Sequence, residues 1–229
     1  MHFDIQYRPT HSLAIAHLEP EESVRAEASA MVSMTRNLTI TTDGPMGGRG
    51  GLLKSFKRAM LGGETFFTNT FTARGTPGHV TLAPTLSGDM LAIELARGEP
   101  LYIQGSSYVA APDSVDLDTR WQGLKGFFSG ESLFFLEATG TGPVLVNAFG
   151  AIEELDLNGD IIVDTGHLVA FGAGIEYEVT KASRGWIASY LSGEGLVLRM
   201  SGRGRIYLQS RNPNEYGQAV GSELPPRQG

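Results

Sequence analysis

Ser129-Gly-Glu-Ser-Leu-Phe-Phe-Leu-Glu-Ala-Thr-Gly-Thr-Gly-Pro-Val-Leu-Val-Asn-Ala148 holds the pattern that decides the fold. A Gly-Glu pair leads into an apolar run, the run ends in Thr139-Gly-Thr-Gly-Pro143, and a second apolar run follows. Short runs rich in Val, Leu and Phe, punctuated by Gly and Pro, read as strands separated by turns. The same order occurs on either side. Gly62-Gly-Glu-Thr-Phe-Phe67 precedes Arg74-Gly-Thr-Pro-Gly78, and Ser192-Gly-Glu-Gly-Leu-Val197 precedes Ser201-Gly-Arg-Gly204. Each copy reads as two strands folded back into a hairpin.

The residues before each glutamate agree as well. Met60 and Leu61, Phe127 and Phe128, and Tyr190 and Leu191 stand three and four places ahead of Glu64, Glu131 and Glu194. Phe56, Leu124 and Trp186 stand about a further turn back, and this spacing is that of a short helix. Leu86-Ser-Gly-Asp-Met-Leu-Ala-Ile93 and Leu157-Asn-Gly-Asp-Ile-Ile-Val163 resemble one another, each with a glycine suited to a tight turn. The expectation is an all-β, sandwich- or barrel-like domain over residues 1–212, built of three units at about 1–86, 87–157 and 158–212 with pseudo-threefold organisation. Residues 213–229, rich in Pro, Gly, Gln and Glu, are expected to be a flexible polar tail.

Composition narrows the function. Of 229 residues 30 are glycine, with no triplet period, which suits many turns between many strands. A net charge of −7 argues against coating nucleic acid, because neutralising phosphates requires surplus Lys and Arg. There is no cysteine, hence no disulfide framework, zinc-thiolate site or thiol nucleophile. The N-terminal residues do not read as a signal peptide, and no window reaches the roughly 18 apolar residues of a membrane span. A cytoplasmic location is expected, at most peripheral to a membrane.

No catalytic constellation stands out. Gly47-Gly-Arg-Gly-Gly-Leu-Leu-Lys-Ser55 lacks the glycine immediately before lysine that a P-loop needs, and fails the dinucleotide spacing. The histidines at 2, 11, 17, 79 and 167 have no metal-ligand spacing along the chain. Asp113, Asp116 and Asp118 lack the glycine and glutamate of a calcium loop and read as a polar strand face. Gly63 with Glu64, Gly130 with Glu131 and Gly193 with Glu194 read as a repeated structural motif. No catalytic, cofactor or metal residue is assigned. One segment is distinctive: Arg49, Lys54, Lys57 and Arg58 flank an apolar face of Leu53, Phe56 and Met60, and form a candidate surface-docking patch.

Leu53-Lys-Ser-Phe-Lys-Arg-Ala-Met-Leu-Gly-Gly-Glu-Thr-Phe-Phe-Thr-Asn-Thr-Phe-Thr-Ala73, followed by Leu82-Ala-Pro-Thr-Leu-Ser-Gly-Asp-Met90, resembles the signature region of a prokaryotic family of conserved hypothetical proteins. That family is related to the mitochondrial biogenesis (altered inheritance of mitochondria, family 24) proteins. The resemblance spans about residues 1–210. It implies a sandwich like that of the trp RNA-binding attenuation protein, and mitochondrial relatives concerned with inner-membrane organisation. It supplies no catalytic residues.

The expected function is a non-catalytic, homo-oligomeric β-sandwich scaffold without cofactor, docking on an anionic membrane surface or a protein partner. One alternative is a module binding RNA or a small ligand, with Trp121, Trp186, Tyr102 and Tyr108 as stacking faces. A further alternative is a metal-dependent enzyme at a cluster of the three glutamates.

Overall fold

The structure, a computed structural model, describes residues 1–43, 68–120, 134–181 and 196–225. It is an all-β body of antiparallel sheets. The first strands are β1 (His2–Gln6), β2 (Leu13–Leu18), β3 (Ser23–Glu27), β4 (Met31–Met34), β5 (Leu38–Asp43), β6 (Thr68–Ala73) and β7 (Gly78–Leu82). Next come β8 (Met90–Leu95), β9 (Leu101–Gln104), β10 (Tyr108–Pro112), β11 (Val115–Arg120), β12 (Phe135–Gly140) and β13 (Gly142–Asn147). The last are β14 (Ile152–Asp164), β15 (Leu168–Gly172), β16 (Ile175–Lys181) and β17 (Leu196–Gln209).

Period-2 alternation places the strands. Along β2, Ala14, Ala16 and Leu18 point inward and their neighbours are half-buried; Val24 and Ala26 do the same on β3. The strands form three sheets, ordered β1-β2-β7-β4, β5-β6-β3-β10-β13-β8, and β11-β12-β9-β15-β17-β14 with β16 also on β17. Two of these sheets therefore join strands from distant parts of the chain. Pairing of β10 with β3 sets Ala110 against Ala26, and pairing of β15 with β9 sets Ala170 against Ile103. The cores follow the same joints. Val109, Ala110 and Leu145 pack into the cluster around Val24, Phe71 and Leu82, while Val169, Ala170 and Tyr207 pack into that around Ile103, Leu136 and Val144.

Several local expectations need correction. The strands flanking Arg74–Gly78 and Thr139–Pro143 do not fold back on each other. β6 lies between β5 and β3, whereas β7 lies between β2 and β4 in a different sheet; β12 and β13 are likewise in different sheets. Residues 201–204 are not a turn at all, because β17 runs through them opposite β14. At Thr139–Pro143 the chain instead passes from the sheet of β12 to the sheet of β13. Gly140, Gly142 and Gly202 have φ of 118°, 121° and 122°, which side chains rarely adopt. Asn158-Gly159 is not a tight turn either; Gly159 sits mid-strand opposite Gly202. The boundary expected at 157/158 thus falls inside β14.

Besides β1–β2, the hairpins that do form are β5–β6, β11–β12 and β16–β17, the last three closing around residues 44–67, 121–134 and 182–195. Their registers correspond: Leu38 opposes Ala73, Val115 opposes Gly140, and Ile175 opposes Gly202. The tail is also different from expectation. Pro213–Glu223 form a helix, α1, whose start is set by Asn212 accepting from the backbone N–H groups of Asn214 and Glu215 with Pro213 in the first turn. Tyr216 rests its ring 5.1 Å from that of Phe149.

Candidate functional sites

The residues singled out from sequence lie in the connections. Arg49, Lys54, Lys57, Arg58, Gly63, Glu64, Gly130, Glu131, Gly193 and Glu194 all fall outside the described residues, as do Trp121, Trp186 and the expected helices before each glutamate. The strand ends that carry these connections are described. Asp43 opposes Thr68, Arg120 opposes Phe135, and Lys181 opposes Leu196, so each connection leaves and re-enters at directly paired strand positions, about 5 Å apart.

The fold brings together a set that chain spacing did not reveal. His2, His17 and His79 are lateral neighbours on β1, β2 and β7, with His2 opposite His17 and His17 opposite His79. The first two rings stack at 4.7 Å between centroids and 13° between planes; the second pair stands at 6.1 Å and 47°. Lone pairs lie in the ring planes, so stacked imidazoles do not aim them at a common point. Among the described residues no group of three His, Asp or Glu side chains is placed to hold a metal ion. Beside the row, Glu22 accepts from the backbone N–H of Glu19 at 2.8 Å and from the N-terminal ammonium at 2.9 Å. These bonds, with the nearby ammonium and His2 charges, hold its carboxyl below the usual range.

Two other acidic groups sit in contrasting settings. Asp89 is buried and held by Arg8 through paired bonds of 2.7 and 2.9 Å, by Ser12 Oγ at 3.2 Å and by the Met90 N–H at 2.8 Å. Burial pushes its pKa up, but the Arg8 guanidinium and these donors outweigh that, and the carboxyl titrates below its ordinary value. The cluster ties the β1–β2 connection to the start of β8. Glu27, at the end of β3, has no such cation among the described residues. Burial pushes its carboxyl up to about 7. Its strand partner Thr68, the first described residue after 44–67, has a buried hydroxyl without a hydrogen-bond partner among the described residues.

Polar groups near the end of β17 are joined in a third cluster. Gln209 donates to the Gly166 carbonyl at 2.7 Å and accepts from the Phe149 N–H at 2.8 Å; its own carbonyl lies 2.7 Å from His167 Nδ1. Asp164 accepts from the Gly166 N–H at 2.7 Å and from Asn212 at 3.4 Å.

Residues 3–211 match the family described as mitochondrial biogenesis AIM24. The chain belongs to that family. It is 31% identical over 231 residues to an uncharacterized protein of Streptococcus pyogenes serotype M6, covering 98% of this chain and 92% of that protein. It also resembles a crystal structure of a Streptococcus pyogenes protein, with 28% identity, a TM-score of 0.82, and coverage of 97% of this chain and 99% of the other.

In this AIM24-family member two aromatic residues considered as stacking faces are already engaged. Tyr108 is fully buried and donates its hydroxyl to the Arg25 carbonyl at 2.8 Å. Tyr102 stacks on Phe171 with centroids 5.1 Å apart and donates to Glu137 at 3.0 Å. His167 is held by the Gln209 carbonyl, and Asp116 and Asp118 are exposed on β11, alternating with buried Val115 and half-buried Leu117. No helix among the described residues is long and apolar enough to cross a membrane. The histidine row and Glu27 escaped sequence analysis because lateral strand neighbours and burial depth leave no mark in linear spacing.

Proposed function

We propose that this AIM24-family chain is a non-catalytic scaffold that works at an anionic membrane surface and is built from three successive structural units. The observation that carries the scaffold reading is what its buried polar groups do. Asp89, Gln209, Asp164 and Tyr108 each tie one segment of the body to another, as parts of a rigid support. The three-unit reading draws support from the matched registers of β5–β6, β11–β12 and β16–β17. It also draws on one irregularity that recurs: β4, β10 and β15 each carry a register shift, between Met31 and Ser33, Tyr108 and Ala110, and Leu168 and Ala170. Membrane docking rests on Arg49, Lys54, Lys57 and Arg58, the basic set of an acidic chain, beside Leu53, Phe56 and Met60.

Flotation with vesicles of phosphatidylserine and phosphatidylcholine tests the docking. The native chain is expected to float at low salt and to be released at about 0.5 M salt, where charges are screened within a few ångströms. The triple variant Lys54→Glu, Lys57→Glu, Arg58→Glu is expected to stay at the bottom of the gradient. Equal flotation of both proteins, or of neither, removes the docking reading.

A further inference from the structure

The two junctions inside the body define a third that this chain leaves open. In each internal junction a strand carrying the register shift, β10 or β15, pairs with the second strand of the preceding unit, β3 or β9. The remaining strand with that shift is β4, which pairs only with β7. The remaining second strand is the later half of β14, residues 160–164, which pairs only with β17. Among the described residues, the outer edges of both are unpaired.

Burial marks these two edges as halves of the same joint. Tyr108, Val109 and Ala111 of β10, and Leu168, Val169 and Phe171 of β15, are at most 1% exposed. Their counterparts Met31, Val32 and Met34 on β4 are exposed by 40%, 56% and 36%. On the facing edge Ile162 is exposed by 64%, where the equivalent Arg25 and Tyr102 are half-buried. Apolar side chains that two junctions bury are bare at the third position. Of the other edge strands, β5, β11 and β16 correspond to one another and are edges in every unit, and β1 and β8 carry no register shift like that of β4.

We infer that β4 of one copy pairs antiparallel with the later half of β14 of a second copy, joining chains head to tail through a junction of the kind already present twice within each chain. The register follows from the internal pairs. Ala110 opposes Ala26 and Ala170 opposes Ile103, which sets Ser33 against Val163; Ala111–Arg25 and Phe171–Tyr102 set Met34 against Ile162. The last pair of each internal junction, Pro112–Val24 and Gly172–Leu101, sets Thr35 against Ile161. The pairing satisfies two rows of backbone N–H and C=O groups and covers the apolar residues that make such edges association-prone. Because the two surfaces differ, the contact is heterologous and propagates until it closes on itself. The inference rests on the three-unit reading but not on membrane docking, whose failure would leave it untouched.

Complementation of edge variants tests it, read by size-exclusion chromatography with light scattering and by circular dichroism. The native chain is expected to run as multiples of its 24.6 kDa mass. Met34→Lys blocks one edge and Ile162→Lys the other. Both residues are exposed, so each variant is expected to fold and run as a monomer. Mixed, the Ile162→Lys copy still offers an intact β4 and the Met34→Lys copy an intact β14, so a one-to-one dimer is expected. A native monomer at all concentrations, variants that remain assembled, or monomeric variants that fail to pair when mixed would each overturn the proposal. So would a Met34→Cys, Ile162→Cys double variant that crosslinks only within single chains, since the joint would then close on itself.

Discussion

Glu27 and Asp89 show how burial alone leaves a carboxylate's behaviour undecided until its neighbours are known. Asp89 has Arg8, so its folded pKa is lowered; the stability it supplies is full above the unfolded value near 4 and is lost as pH falls through the folded value. Asp89→Ala is expected to cost about 1–3 kcal/mol at pH 7 by chemical denaturation, and progressively less below about pH 4. Glu27 has the opposite sign. Its folded pKa of about 7 lies above the unfolded value, so its contribution is full below about pH 4 and is lost as pH rises through 7. Glu27→Gln is expected to match the native chain below about pH 4 and to exceed its stability by about 3–4 kcal/mol at pH 8.5. From sequence, both residues are single acidic letters among 25, and neither gave a signal. Their difference comes from Arg8, which is 81 residues from Asp89 along the chain.

At the scale of elements, the strands themselves were legible and their partners were not. The polar strand face read at Asp116 and Asp118 is present on β11, where both are exposed and the neighbouring Val115 is buried. The glycine-rich breaks at Arg74–Gly78 and Thr139–Pro143 are real but are not hairpin turns, and Ser201–Gly204 is no break at all. A break in the apolar pattern says that the chain bends; it does not say whether the next strand returns beside the last or crosses into another sheet. Gly140, where β12 ends in one sheet and β13 begins in another, illustrates the crossing, and Gly202 has the same backbone inside the continuous β17. Both have φ near 120°, and an added Cβ would press on the Ser114 and Gly174 carbonyls respectively. Gly140→Ala and Gly202→Ala are each expected to lose about 2–3 kcal/mol in thermal or urea unfolding. Gly159→Ala, at a φ of 133° but facing open space, is expected to lose only about 1–2 kcal/mol. The helix α1 left a readable sign in Asn212-Pro213, an N-cap followed by proline in the first turn, which the polar composition of the tail concealed.

At the scale of the molecule, the chain is a series of sheets whose internal joints bury what its free edges expose. If the head-to-tail pairing holds, the basic connection 44–67, which joins β5 to β6, would recur once per copy along an assembly. Weak electrostatic attachments repeated in this way add by avidity without any new contact, so assembly and docking reinforce each other. Period, turn residues and charge belong to neighbouring letters, and from them the sequence by itself determined an all-β body, its family and the acidic surface with one basic segment. Only the tertiary structure decided which strands pair, where Asp89 finds Arg8, that three distant histidines share a row, and which edges stay open. Those depend on contacts between residues far apart in the chain, which no local pattern encodes.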